Sequence, residues 1–341
     1  MSAGNYYFQW KDIQNSWFQQ YRSYNFASFE ALRDFFDPKN FFAPNAKTTG
    51  IILHAGVDTD GVWFTLITPS ACSRLRQILS EYLISKVGAT VPVPIEPLNP
   101  RTYTDIKFAA MTDRNVYQRW LRNVSKANKG RERMQEAKNM WKQAKSFIED
   151  KQYVLFSIDI EAWEQDHSVL LEIGWSMYDT RNDQYMDQHY LVDTYRHLQN
   201  GKYVDDHKLR FQFGTSVWCT LKQALEEFKK DLDWATQRDS GFVLVGHGLD
   251  SDLKYLQQHK FLWPGHAGEE DILDVNKSAL VAILNTDTIY AASISNLHNP
   301  PSLGKILAEF EIEHWCLHNA GNDAHYTMEL LMALIDRFPT S

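Results

Sequence analysis

Apolar and polar positions alternate in short runs along the second half of the chain. We expect five strands there, at residues 153–160, 169–178, 185–192, 242–246 and 283–288. Apolar residues at three- and four-residue steps predict helices at 221–234 and 249–258, and further helices from residues 302 and 321. Three strands in a meander, followed by strands that alternate with helices, predict an α/β layer fold with a mixed five-stranded sheet over residues 151–341.

The first hundred residues predict a separate, smaller α+β domain, to which the sequence assigns no chemistry. Strands are expected at 51–55 and 62–67, a helix at 26–36, and a second helix that opens at Pro69. Residues 91–100 carry four of the eleven prolines, which predicts an extended connector because proline lacks a backbone donor. We expect a protein partner, if there is one, to bind this domain.

A basic segment lies between the two predicted domains, and residues 101–150 are interpreted as a basic helical connector. Residues 114–151 hold eleven Lys and Arg against four acidic residues, and Asn128–Gly130 predicts a break between two helices. Two interpretations stay open. The segment is either a solvated helix face or a nucleic-acid patch formed by Arg119, Arg122, Lys126 and Lys129.

Composition excludes several classes of protein. The net charge of −8 argues against a bulk-basic, chromatin-type protein, although a local basic patch is enough to bind nucleic acid. Three widely spaced cysteines predict neither a disulfide framework nor a zinc knuckle, and are typical of a reducing compartment, the cytoplasm or the nucleus. No apolar run approaches the length of a membrane span, and residues 1–12 do not have the pattern of a signal peptide.

Acidic side chains follow the first predicted strand of the second half. Asp159 and Glu161 are two residues apart near its end, so their carboxylates face the same side. Two acids that share a site repel each other unless a cation compensates, and hard divalent cations prefer oxygen ligands. A strand end that simply enters solvent is the alternative interpretation.

Two further segments place acids at helix starts. Asp250 and Asp252 follow the strand at 242–246, and Asp323 follows His318 by five residues at the start of the last helix. Acids in a first helical turn also serve as caps, so each one alone is weak support for a site. Together, four acids and one histidine predict a site for two divalent cations that hydrolyses a phosphodiester, with the histidine as base.

The segments FSIDIEAWE (156–164), LVGHGLDSDLKYL (244–256) and HNAGNDAHYTMEL (318–330) resemble the three motifs of the DEDDh 3′–5′ exonucleases. The third segment is closer to a fungal group of nuclease-domain proteins named for supporting a DEAD-box mRNA-export helicase. The resemblance covers residues 150–338 and implies an RNase H-like fold.

The resemblance also implies a role for each matching residue. Asp159 would bridge two Mg²⁺ or Mn²⁺ ions, Glu161 and Asp323 would complete the site of the ion that binds the attacking water, Asp252 would serve the second ion, and His318 would be the general base. Asp252 is preferred to Asp250 because Asp-Leu-x-x-Leu continues the motif.

Candidate substrate contacts surround the matched motifs. They are Ile160, Ala162, Trp163, His247 and Asn319. Ala162 stands where relatives often have Thr or Ser, so one interaction with the terminal nucleotide is absent, and Trp163 either stacks on a base or packs in the core. For His247 a structural role is the alternative.

The sequence therefore predicts a metal-dependent 3′–5′ exonuclease that releases nucleoside 5′-monophosphates from single-stranded nucleic acid. RNA is favoured over DNA because the motifs resemble those of RNA-directed relatives. A DNA-directed exonuclease and a non-catalytic RNase H-like adaptor are the alternatives.

Overall fold

The structure of the chain is a computed structural model, which describes residues 6–266, 268–296 and 300–337. Contacts divide it into two compact units, one that ends at Arg133 and one that begins at Met134. The prediction about a signal peptide concerns residues 1–12, of which 1–5 lie outside the described residues.

The first unit combines a five-stranded antiparallel sheet with helices. Its strands are β1 (Tyr6–Gln9), β2 (Ile51–Val57), β3 (Trp63–Ile67), β4 (Arg101–Thr102) and β5 (Thr104–Met111), in the order β4-β1-β3-β2-β5. Its helices are α1 (Trp10–Tyr24), α2 (Phe26–Phe36), α3 (Pro38–Phe41) and α4 (Pro69–Val87). The predicted helix at 26–36 has the predicted bounds, and the Asn25 side chain caps it by accepting from the Ser28 N–H.

Helix α5 (Arg114–Glu149) continues through Asn128–Gly130, where the sequence predicted a break. The Asn128 side chain accepts from the Trp63 N–H at 2.8 Å and donates to the Trp63 carbonyl at 2.9 Å. Because the amide pairs with β3, it does not compete for the helix backbone, and Gly130 alone costs only about 1 kcal/mol. A second difference is that residues 101–111, expected in a helical connector, form β4 and β5.

The second unit contains a six-stranded mixed sheet with helices on both faces. Its strands are β6 (Val154–Trp163), β7 (Asp166–Asp179), β8 (Gln184–Val192), β9 (Val217–Cys219), β10 (Phe242–Gly246) and β11 (Leu280–Asn285). Its helices after α5 are α6 (Leu221–Asp239), α7 (Asp250–Gln258), α8 (Thr286–Ser293), α9 (Leu303–Glu309) and α10 (Ala320–Arg337). No helix in the described ranges is long and apolar enough to cross a membrane.

The sheet of the second unit has the order β11-β10-β6-β7-β8-β9. The β6, β7 and β8 strands form an antiparallel meander, whereas β10 pairs in parallel with β6 and β11. This confirms the predicted mixed α/β fold, with one strand more than expected. The additional strand, β9, is only three residues long and follows a segment whose polar pattern gives no strand signature.

Side chains of β6 alternate between two cores. Phe156, Ile158 and Ile160 pack on the face covered by α6 and α7, and Leu155 packs on the face covered by α8, α9 and α10. Because the period of a strand is two residues, Asp159 and Glu161 lie on the α10 face. The fold thus directs both carboxylates toward the helix that carries Asp323.

Candidate active site

The first two carboxylates are placed by the pairing of β6 with β7. Asp159 lies opposite Gly174 and Glu161 lies opposite Glu172. A Cβ on Gly174 would lie 2.3 Å from the carbonyl carbon of Ala320, so only glycine lets the start of α10 come this close to the sheet. The absent side chain at 174 brings the first turn of α10 over Asp159.

Asp252 reaches the site because β10 is shorter than β6. The last β10 residue paired with β6 is Val245, opposite Ser157, so the β10 ladder does not extend to the Ile160 N–H. The Asp252 carboxylate accepts from that N–H at 2.9 Å and is 9% exposed. Asp250, the other candidate on this helix, is exposed. The structure therefore brings Asp252 to the end of β6.

Asp323 and His318 are held together by the turn that precedes α10. The Asp323 carboxylate accepts from the His318 N–H at 3.0 Å, and His318 has a left-handed φ of 63°. Ligand atoms of Glu161, His318 and Asp323 lie within 4.8 Å of one another. One face of β6 and one helix start thus assemble three of the five predicted residues, with Asp252 joined through Ile160.

Burial gives these carboxylates unusual proton affinities. Burial, followed by the negative charges of Asp323 and Asp252, raises the pKa of Asp159 well above its ordinary value. Burial, followed by the charges of Glu172 and Asp323, raises the pKa of Glu161. Burial raises the pKa of Asp252 and of Asp323 to about 7 each, although a backbone N–H lowers it in both cases. Such a cluster calls for positive charge.

Two carboxylate oxygens are suited to a cation. Asp159 Oδ2 and Asp323 Oδ1 are buried and have no hydrogen-bond partner among the described residues. A buried acceptor without a donor costs free energy that a bound cation returns. Oxygen donors of this kind, crowded and acidic, fit Mg²⁺ or Mn²⁺.

His318 lies at the edge of this cluster and is exposed. Desolvation, followed by the charge of His207, lowers its pKa from the ordinary 6.5. The neutral form of imidazole, which accepts a proton, is therefore favoured at neutral pH. His207 is held beside it, since its Nδ1 lies 2.6 Å from the Leu317 carbonyl oxygen.

The predicted substrate contacts have mixed positions. Trp163 and Ala162 are partly buried at the end of β6, and the Ile160 side chain belongs to the core. Both ring nitrogens of His247 are within hydrogen-bonding distance of protein atoms, Thr286 Oγ1 and the Pro301 carbonyl. These positions leave Trp163 and the backbone of Ala162 nearest to solvent.

Asn319 is fully buried, and its side chain holds the α10 turn. Its Oδ1 accepts from the Asn322 N–H at 3.1 Å, and its Nδ2 donates to the carbonyls of His207 and Lys208. The amide is used within the protein, so the structure places Asn319 in a supporting position and not at the surface.

The loop at 196–213 borders the site at two points, which the sequence did not reveal. The Glu164 carboxylate accepts from the backbone N–H groups of Gly201, Lys202 and Tyr203 at 3.0–3.3 Å. Asn200 also donates to the carbonyl of Ala162. This anchoring presents Tyr203, whose side chain is 71% exposed, close to the end of β6.

The four residues of the predicted nucleic-acid patch all lie in the first unit, on α5. Arg119, Arg122, Lys126 and Lys129 are exposed, and no ion pair to any of them occurs among the described residues. They recur at three- and four-residue steps and so share one side of the helix.

Fold and site together define a DEDDh exonuclease-like domain. The family described as DNA polymerase III subunit epsilon-like, C-terminal domain (DEDDh_C) matches residues 154–334, more than half of the chain, and the chain belongs to this family. The resemblance inferred from the three sequence motifs is confirmed.

Curated relatives match the same part of the chain. It is 34% identical over 202 residues to Good for full DBP5 activity protein 2 of Saccharomyces cerevisiae, covering 54% of this chain and 35% of that protein. It is 32% identical over 191 residues to an uncharacterized nucleolar protein of Schizosaccharomyces pombe, covering 54% and 70%. The match thus spans about a third of the S. cerevisiae relative's length.

A solved structure similar to the chain is the RNase domain of the yeast Pop2 protein, at 11% identity and a TM-score of 0.33. The match covers 59% of this chain and 82% of that one.

Proposed function

We propose that the protein is a metal-dependent 3′–5′ exonuclease that releases nucleoside 5′-monophosphates, with RNA as the favoured substrate. The observation that carries the proposal is the convergence of Asp159, Glu161, Asp252 and Asp323, which contains two buried carboxylate oxygens without a donor in the described ranges. A non-catalytic adaptor has no physical need for such a crowded cluster, whose mutual repulsion lowers stability.

The residues divide the chemistry among them. Asp159, Glu161 and Asp323 would hold one divalent cation, and Asp159 with Asp252 would hold a second. When bound, such ions lower the pKa of a coordinated water and stabilise the charge that develops on the phosphate. His318, with its lowered pKa, accepts the proton of the attacking water. The left-handed turn before α10 keeps its ring beside Asp323.

Substrate binding would use stacking and phosphate contacts more than base edges. The exposed Tyr203 and the partly buried Trp163 are the aromatic surfaces available near the end of β6. Arg119, Arg122, Lys126 and Lys129 would bind substrate phosphates. Such contacts favour single strands of any sequence.

The setting of the protein is proposed on coarser grounds. The S. pombe relative is named a nucleolar protein, and the three cysteines of this chain are free. We therefore place the protein in the nucleus, with the first unit as the surface for a protein partner.

A labelled-strand assay tests the function. RNA and DNA single strands of the same sequence, labelled at the 5′ end, are incubated with the chain in Mg²⁺ or Mn²⁺. We expect a ladder that shortens from the 3′ end, faster on RNA, and no ladder in EDTA.

Variants link the ladder to the site. Asp252→Asn should abolish it, whereas Asp250→Asn, two residues away on the same helix but exposed, should leave it unchanged. His318→Asn removes the imidazole while asparagine tolerates the left-handed φ, and should slow hydrolysis by about 10²–10⁴-fold. A faster ladder on DNA would favour the DNA-directed alternative, and no ladder on either strand would favour the adaptor.

A further inference from the structure

A fifth carboxylate lies inside the site and is absent from the sequence motifs. Glu172 is in the middle of β7, opposite Glu161, and is 3% exposed. Its Oε2 accepts from the Ala320 N–H at 3.2 Å and lies 2.9 Å from His189 Nε2. Both contacts use the same oxygen, so this atom is committed to protein donors.

The partner of Glu172 on the next strand is equally buried. His189 on β8 is 1% exposed, and its Nδ1 lies 2.8 Å from Ser216 Oγ. Donation to Glu172 requires the proton on Nε2, and the Ser216 hydroxyl then donates to Nδ1. The imidazole thus connects the loop before β9 to the carboxylate on β7 and fixes its orientation.

The third member of this network is the start of α10. Ala320 is the first residue of the helix, and its N–H is one of the four that no helical carbonyl can accept. Glu172 supplies that acceptor, and a negative charge at a helix N-terminus is favourable. Gly174 and Gly321 allow the close approach, since a Cβ at Gly321 would lie 2.8 Å from the Cβ of His189.

The same turn carries the chemistry of the site. His318 lies two residues before Ala320 and Asp323 three residues after it, and the two are hydrogen-bonded to each other. A displacement of Ala320 would therefore move a metal ligand and the base together.

We propose that Glu172, oriented by His189, is a positioning residue that fixes the first turn of α10 and thereby sets Asp323 and His318 for the metal site. This inference rests on the proposed function, because it assigns Glu172 a part in the same site. It predicts that the acceptor oxygen matters and that the charge of the carboxylate matters less.

The test begins with metal-free protein, so that it does not depend on activity. Hydrogen exchange is measured for peptides covering 318–326 in the wild type, Glu172→Ala, Glu172→Gln and Asp231→Ala. Asp231 is the matched control, because it accepts from Trp175 Nε1 on the opposite face of the same strand, at 2.8 Å. Glu172→Ala should exchange about tenfold faster than the wild type, whereas Asp231→Ala and Glu172→Gln should not.

Mn²⁺ affinity, measured by calorimetry on the same four proteins, gives the second readout. Loss of a group that orients metal ligands typically costs about 10–100-fold in affinity, which we expect for Glu172→Ala. Glu172→Gln keeps an oxygen acceptor and should stay within about threefold of the wild type, as should Asp231→Ala.

Each outcome decides between the explanations. If Glu172→Gln loses affinity as far as Glu172→Ala, the charge acts directly and the positioning role is wrong. If Glu172→Ala matches Asp231→Ala in both measurements, Glu172 is merely structural and the inference is again wrong. If the wild type binds no Mn²⁺, the proposed function fails, and unchanged exchange in Glu172→Ala would then overturn the positioning role by itself.

Discussion

Replacement of Asp323 by Asn should stabilise the metal-free protein, although the same change should abolish activity. Burial raises the pKa of Asp323 to about 7, from 3.8 in an unfolded chain. A carboxyl whose pKa is raised by folding binds its proton more tightly in the folded state. Stability is therefore lost as pH rises from about 4 through 7, and the loss is complete above 7.

The size of the effect follows from the pKa of Asp323. A rise from 3.8 to about 7 corresponds to about 4 kcal/mol, at about 1.4 kcal/mol for each pKa unit. The amide of asparagine keeps an acceptor for the His318 N–H. It remains a buried polar group, so we expect a net gain of about 2–4 kcal/mol at pH 8 and less than half of that at pH 5.

Urea unfolding of chelated protein, followed by tryptophan fluorescence at pH 5 and pH 8, measures this gain. Asp179→Asn is the control of opposite sign, because hydrogen bonds led by that of Arg238 outweigh burial and lower the pKa of Asp179 to about 2. That variant should lose stability at pH 8. Saturating Mn²⁺ should stabilise the wild type more than Asp323→Asn, since only the wild type keeps the ligand.

The reasoning would be refuted if Asp323→Asn were no more stable than the wild type at pH 8 in the absence of metal. The crowding of carboxylates would then carry no energetic cost. An equal gain at pH 5 and pH 8 would also contradict it, because the gain would not come from ionisation of the carboxyl.

Three further changes test other parts of the account. Gly174→Ala should destabilise the second unit by about 3 kcal/mol in thermal unfolding, because its Cβ would lie 2.3 Å from the Ala320 backbone; an unchanged midpoint would contradict this close approach. Tyr203→Ala should raise KM for single strands severalfold with little change in kcat, through weaker stacking, and an unchanged KM would exclude Tyr203 from the substrate path. Neutralising the basic patch should reduce the dependence of log Kd on log salt by about 0.7 for each phosphate that the protein no longer neutralises, and an unchanged slope would mean that the patch is only a solvated face. Its residues are Arg119, Arg122, Lys126 and Lys129.

Much of the second unit could be predicted from its sequence because its elements have clear periods. The strand at 242–246 has the predicted bounds, since a buried parallel strand is a continuous apolar run. The helix at 221–239 runs five residues beyond its predicted end and closes at Ser240, a residue in the left-handed conformation with no glycine to mark it.

Other features depend on long-range pairings that sequence patterns do not carry. The continuity of α5 depends on Asn128 pairing with Trp63, a residue 65 positions away. The choice between Asp250 and Asp252 depended on which of them reaches Ile160, and only the shortness of β10 explains this. Glu172 and Gly174 had one available signal, since an acid and a glycine interrupt an otherwise apolar strand.

The central claim is that water, deprotonated at this site, attacks the last phosphodiester of a strand. The most direct measurement is mass spectrometry of the products formed from single-stranded RNA in ¹⁸O-labelled water with Mn²⁺. We predict nucleoside 5′-monophosphates that carry one ¹⁸O atom, and none with Asp159→Asn. Products that end in a 3′-phosphate or a 2′,3′-cyclic phosphate, or no mononucleotides at all, would contradict the account.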